Sequence, residues 1–170
     1  MKKRLLVAAV VASTLWMTTV STNAQQATEY STPGITNLSR LETKVACAGA
    51  ITPNAVPEIK KMGFVTIINL QEADEPGANV DAEEAAAKEY GLRYYRIPFN
   101  AASPDSTAAD KFLDAIITKG TEPAFIHCSS GRRAATMWLI KRLVVDHWNV
   151  ARATKEAEAL GPSLTVPFHK

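Results

Sequence analysis

Several kinds of chemistry are missing from this chain of 170 residues, and each absence excludes something. Neither a G-x-S-x-G elbow nor a G-x-x-x-x-G-K phosphate loop occurs, which removes the usual serine hydrolase and nucleotide-triphosphate readings. His127, His147 and His169 stand at no metal-ligand spacing with carboxylates or cysteines, so neither a metal nor an organic cofactor is implied. There is no internal repeat and no disorder-prone bias, so one globular unit is expected. Long apolar runs are also scarce: only Leu5 to Val20 approaches one.

That run follows the basic start Met1-Lys2-Lys3-Arg4 and precedes Ser21-Thr22-Asn23-Ala24, a small-residue cleavage pattern. It is short for a bilayer span and contains Ser13, Thr14, Thr18 and Thr19, so residues 1–24 read as a signal peptide. The expectation is a periplasmic or secreted protein with no stable membrane insertion after cleavage. Three of the 19 basic residues (Lys2, Lys3, Arg4) lie in this leader, leaving 16 against 17 acidic ones. Such a balance offers no electrostatic case for nucleic acid as a partner. Export would put the two cysteines, Cys47 and Cys128, in an oxidising compartment. Whether they pair stays open, because sequence does not place them within bridging distance.

Residues 25–40 are polar, with a Ser31-Thr32-Pro33-Gly34 turn, and read as an extended arm leading into a domain over 41–165. Within that domain short apolar runs alternate with helical patterns. Strands are expected at Val45–Ala48, Phe64–Leu70, Leu92–Ile97 and Ala124–His127. Helices are expected after Thr52-Pro53, over Asp81–Tyr90, from the Ser103-Pro104-Asp105-Ser106 cap to about Lys119, over Ala134–Val145, and from Asn149 to Leu160. The charges of the Asp81–Tyr90 helix are read as solvating an outer face. The alternation predicts an α/β three-layer sandwich with a central, mainly parallel sheet and helices on both faces. In such sheets ligands collect beyond the carboxyl ends of the strands, and His127-Cys128-Ser129-Ser130-Gly131-Arg132-Arg133 lies at one of them.

A thiol where a strand turns into a helix meets unpaired N–H groups and the positive end of the helix dipole. Both favour an anion. That anion is either the thiolate of Cys128 or an oxyanion held by loop amides, with Gly131 permitting the turn and an arginine clamping two oxygens. The alternative is an ordinary buried thiol, but a plain strand end has no use for Ser-Ser-Gly-Arg-Arg.

The pattern H-C-x-x-G-x-R between a buried strand and a helix resembles the active-site loop of the protein tyrosine phosphatase superfamily, in its small dual-specificity-like bacterial branch. The segments TPNAVPEIKKMGFVTIINLQ, DEPGANVDAEEAAAKEYGLRYYRIPF and HCSSGRRAATMWLIKR are similar to the phosphatase domain of beta-lactamase-hydrolase-like proteins, a resemblance spanning about residues 40–161. It implies a cysteine-phosphatase-like fold and a nucleophile, Cys128, that forms a phosphocysteine. It implies further that Arg133 binds phosphate and stabilises the transition state, that the stretch Ser129, Ser130, Gly131, Arg132 and Arg133 cradles it, and that His127 supports the thiolate.

Two departures stand out. The common loop has five residues between cysteine and arginine, whereas this one has four, with Ala134 where the usual arginine stands. Rhodanese loops share the shorter spacing. A Ser or Thr usually follows the arginine, but here Ala134-Ala135 follows, leaving Ser129, Ser130 or Thr136 as substitutes. Arg132 either recruits anionic substrate or is simply solvated. The resemblance also implies a general acid in the loop Asn100–Asp105, where Asp105 is the carboxylate; a helix cap is its competing role. Asp74, Glu75 and Asp81 fall on the same rim and are assigned to solvation or capping.

The expected function is hydrolysis of phosphoesters, either on a phosphorylated protein of phosphotyrosine type or on a small phosphoester. A rhodanese-like sulfurtransferase carrying a persulfide on Cys128 is the alternative, and a non-catalytic anion-binding module the third reading.

Overall fold

The computed structural model describes residues 26–42 and 44–161; the signal peptide expected at 1–24 and the end of the domain expected over 41–165 beyond Gly161 lie outside the described residues. Among the described residues no helix is long and apolar enough to cross a membrane.

Six strands form one sheet: β1 (Thr28–Thr32), β2 (Ile35–Leu41), β3 (Val45–Ala48), β4 (Thr66–Asn69), β5 (Arg93–Arg96) and β6 (Ala124–His127), in the order β1-β2-β3-β6-β4-β5. β3, β4 and β6 are buried at every position, with apolar centres and the polar Thr66, Asn69 and His127 buried at strand ends. From β3 to β5 neighbouring strands are parallel, and their register sets Ala48, His127, Asn69 and Arg96 in one row at the carboxyl edge.

Alternate side chains leave this sheet on opposite faces. Ile67 and Phe125 pack with Val56, Ile59 and Ala87 under α1 (Val56–Lys61) and α2 (Val80–Glu89). Ile68, Ile126 and Cys128 pack with Phe112, Met137, Trp138 and Leu160 under α3 (Ser106–Ile117), α4 (Arg132–Val144) and α5 (Val150–Leu160). This is the expected sandwich.

Two expectations change. The stretch expected as an extended arm is a hairpin, β1–β2, pairing antiparallel onto β3 and burying Ile35, Leu38 and Leu41. Asn37 adopts a left-handed φ of 48°, so buried positions lose their alternation and the strand signal in the sequence is broken. Nor is α2 charged only on an outer face: Glu83 is wholly buried. Its partners, Asn69 and Tyr94, arrive from β4 and β5.

Candidate active site

Cys128 follows directly on β6, and four residues later, at Arg132, α4 begins. Gly131 is the N-cap with φ 89°, a region unfavourable to residues with a Cβ, and a Cβ there would lie 3.4 Å from the Ala48 carbonyl carbon. The Gly131 N–H donates to Cys128 Sγ at 3.2 Å, and the thiol is fully buried.

The loop carbonyls are turned outward by specific donors. Ala50 N–H donates to the Ser129 carbonyl at 3.1 Å, and Asn37 Nδ2 donates to the Ser130 carbonyl at 3.2 Å. In a planar trans peptide the N–H points opposite to the C=O. Fixing these two carbonyls therefore aims the Ser130 and Gly131 N–H groups inward, making a concave anion site.

Arg133 comes from the first turn of α4 and crosses to the loop after β4. Its Nη1 and Nη2 donate to the two oxygens of Glu75, each at 2.5 Å, while Nη1 also donates to the Leu70 and Phe99 carbonyls at 3.0 Å. Nη2 reaches Ser129 Oγ at 3.0 Å. The Nη1 side of the fork is thus spent on structure, and the Nε side with the Nη2–Ser129 contact is what can meet an oxyanion. Burial opposes the Arg133 charge, but the Glu75 hydrogen bonds and the neighbouring Cys128 sulfur outweigh it and hold Arg133 cationic. Burial likewise pushes the Glu75 carboxyl up, and the Arg133 contacts reverse this, leaving it below the ordinary carboxylate range.

Sequence reasoning missed the parts played by Glu75 and Asn37. Glu75 is expected on the right rim but only for solvation or capping; Asn37 lies in the stretch expected as an extended arm. The sequence carries no local signal for either.

The other expected residues separate. Asp105 is the fully exposed N-cap of α3, accepting from Thr107 N–H at 2.9 Å, and that backbone bond holds its carboxyl below the usual range. This geometry suits the cap rather than a proton donor. Thr136 Oγ1 donates back to the Arg132 carbonyl at 2.9 Å, so its hydroxyl is committed to the helix. Arg132 is exposed, as are Ser129 and, in part, Ser130.

His127 leaves the sheet on the opposite face from Cys128. There Nε2 lies 3.3 Å from Glu83 Oε2, a close contact without hydrogen-bond alignment, and both groups are buried. Glu83 Oε2 accepts from Asn69 Nδ2 at 2.7 Å and from Tyr94 OH at 3.0 Å. Burial, then the Glu83 charge, raise the Tyr94 phenol well above its ordinary value. Asn69 Oδ1 in turn accepts from Gln71 N–H at 2.7 Å, so the cluster shapes the exit from β4 toward Glu75. The expected support of the Cys128 thiolate by the His127 ring is therefore not what the structure shows, because alternation along β6 turns the ring to the other face and neither ring nitrogen has a hydrogen-bond partner among the described residues. Cys47 is a free, buried core thiol, and burial followed by its proximity to Cys128 pushes it up, which keeps it protonated. Among the described residues no group of His, Cys, Asp and Glu could hold a metal ion.

A cysteine at a strand-to-helix turn, inward amides and a fixed arginine on this sandwich define the protein tyrosine phosphatase class of fold. Within it the chain belongs to the family described as beta-lactamase hydrolase-like protein, phosphatase-like domain, whose model matches residues 37–144. A beta-lactamase hydrolase-like protein of Xylella fastidiosa is 30% identical over 126 residues, covering 71% of this chain and 27% of that protein. One from Agrobacterium fabrum is 30% identical over 104 residues, 59% of this chain and 24% of its own. The chain thus spans about a quarter of the length of these curated relatives. Among solved structures, P. aeruginosa TpbA in complex with pTyr has a TM-score of 0.61 at 18% identity, covering 85% of this chain and 83% of that one. The core catalytic domain of the S. cerevisiae PP-IP phosphatase SIW14 gives 0.52 at 16% identity, over 69% and 72%. Both share the fold.

Proposed function

We propose that this protein is a cysteine-dependent phosphatase hydrolysing phosphoesters through a phosphocysteine on Cys128. The observation that carries this reading is the clamp on Arg133: Glu75 takes a bond from each Nη and two carbonyls take Nη1, which leaves Nε and the Nη2–Ser129 side for an anion over Cys128 and the inward amides. Such a cradle meets three equatorial oxygens whose charge is spread in the transition state, and prior positioning is most of what phosphoryl transfer asks of a protein. In the first step Cys128 sulfur attacks phosphorus in line and the ester oxygen leaves. In the second, water attacks the same phosphorus and sulfur departs. No step requires a metal.

The finer reading is a phosphotyrosine-type or small phosphoester substrate. Exposed Arg132 on the rim supports recruitment of anions. Periplasmic or secreted location is proposed with it, from the leader at residues 1–24. Sulfur transfer remains the rival because a four-residue spacing between Cys128 and Arg133 suits either anion.

The test offers the full chain p-nitrophenyl phosphate in the presence of EDTA and, separately, thiosulfate with cyanide. Phosphate release that persists in EDTA and disappears in Cys128→Ser is expected. Thiocyanate without phosphate release would establish the rival instead.

A further inference from the structure

Breaking a phosphoester expels an oxygen that needs a proton unless it leaves easily as an anion. In line with sulfur, that oxygen departs on the side away from Cys128, toward the rim made by the loops after β4 and β5. The loops after β4 and β5 hold four carboxylates, Glu72, Asp74, Glu75 and Asp105, while Asp81 at the start of α2 is paired with Arg96 at 3.0 Å. Glu75 is bound to Arg133 and held ionised. Asp105 is committed as an anion to the α3 cap. Asp74 is exposed, with no hydrogen bond to position it among the described residues.

Glu72 differs from all three. It is half-buried, and its own N–H donates to Glu75 Oε1 at 2.7 Å, the same oxygen that accepts from Arg133 Nη1. Two hydrogen bonds therefore tie its backbone to the phosphate-binding arginine. From the opposite loop Asn100 Nδ2 approaches Glu72 Oε1 at 3.4 Å, a long contact. The Asn100 amide is oriented by its Oδ1, which accepts from Ala102 N–H at 2.9 Å and Ser103 N–H at 3.2 Å. With this contact at Oε1, Oε2 has no hydrogen-bond partner among the described residues. No cation is paired with Glu72 among the described residues.

Resting on the phosphatase reading, we infer that Glu72 is the general acid and base of the reaction, a catalytic residue positioned by Asn100. As the S–P bond forms, the P–O bond breaks and its electron pair stays on the leaving oxygen, which takes the proton from Glu72 Oε2. The resulting carboxylate then accepts a proton from water as that water's oxygen attacks phosphorus. The S–P bond breaks with its pair returning to sulfur, and Glu72 is protonated again. The sum is ester plus water giving alcohol plus phosphate.

Glu72→Gln in the full chain keeps an acceptor for Asn100 and removes only the transferable proton. kcat/KM is measured with p-nitrophenyl phosphate, whose leaving group needs little help, and with phenyl phosphate, whose leaving group needs more. The expected result is a loss on the order of 100-fold with phenyl phosphate and less than about threefold with p-nitrophenyl phosphate. Equal losses on the two substrates, or no loss on either, overturn the role of Glu72 while leaving the nucleophile intact. Turnover surviving in Cys128→Ser, or none in the unaltered chain, overturns the underlying phosphatase reading and this inference with it.

Discussion

Arg133 is useful only if its planar fork is held at one angle, and Glu75 is the group that sets it. The pair is bidentate and only slightly exposed, so it escapes much of the screening that weakens surface ion pairs. Glu75→Gln should raise the inhibition constant of inorganic phosphate against p-nitrophenyl phosphate by about tenfold, within the range for losing a charge-assisted hydrogen bond. An unchanged constant would show that Arg133 is oriented without it. The pH dependence has a defined sign. Because the folded Glu75 carboxyl lies below its ordinary value, its contribution is present above the unfolded pKa and is lost as pH falls through the folded one. Phosphate inhibition expressed per concentration of one ionic form of phosphate should therefore weaken on account of Glu75 only in strong acid.

At the scale of elements, what is legible in a sequence depends on whether burial is one-sided or complete. β3, β4 and β6 are covered on both faces, so each reads as an apolar run with no competing pattern. β2 does not, because left-handed Asn37 interrupts its alternation, and β1 is an exposed edge whose residues look like linker. α2 carries the same ambiguity in reverse: Glu83 resembles any solvated glutamate until β4 and β5 bring Asn69 and Tyr94 to it. α3 shows how a motif with two readings is decided by geometry. Asp105→Ala should lower stability through the lost cap and leave kcat unchanged. Urea unfolding and steady-state kinetics on the same variant check both halves, and a large fall in kcat would restore Asp105 as an acid.

Over the whole molecule, the site is assembled from distant stretches, which is why only its centre was readable. Cys128 to Arg133 is one contiguous loop with chemistry in its spacing. Glu75 lies 58 positions from its partner Arg133, and Asn37 lies 93 from the carbonyl it holds. Behind the loop, α5 is fixed to α4 by buried Glu156, which accepts from Trp138 Nε1 at 2.8 Å and from Arg142 Nε at 2.6 Å. Trp148 is flanked by Arg142 and Arg152, whose Cζ atoms lie 4.1 and 3.5 Å from its ring centre. Gly161, at the end of α5, rests on the Gly131 carbonyl and Ala135, where a Cβ would collide with the Ala135 side chain. Glu156→Ala leaves the buried Trp138 indole donor unpaired and Arg142 held by Asp146 alone, and should destabilise the fold by about 2 kcal/mol in denaturant unfolding. A loss below about 1 kcal/mol would show that the helices pack without this contact. The central claim concerns one bond, between phosphorus and Cys128 sulfur, and it is tested by quenching the protein in acid during turnover of p-nitrophenyl phosphate and weighing the peptide that carries Cys128. The account predicts that this peptide gains the mass of one phosphoryl group in the unaltered protein and none in Cys128→Ser, whereas turnover with an unmodified Cys128, or with a sulfur atom added there, would contradict it.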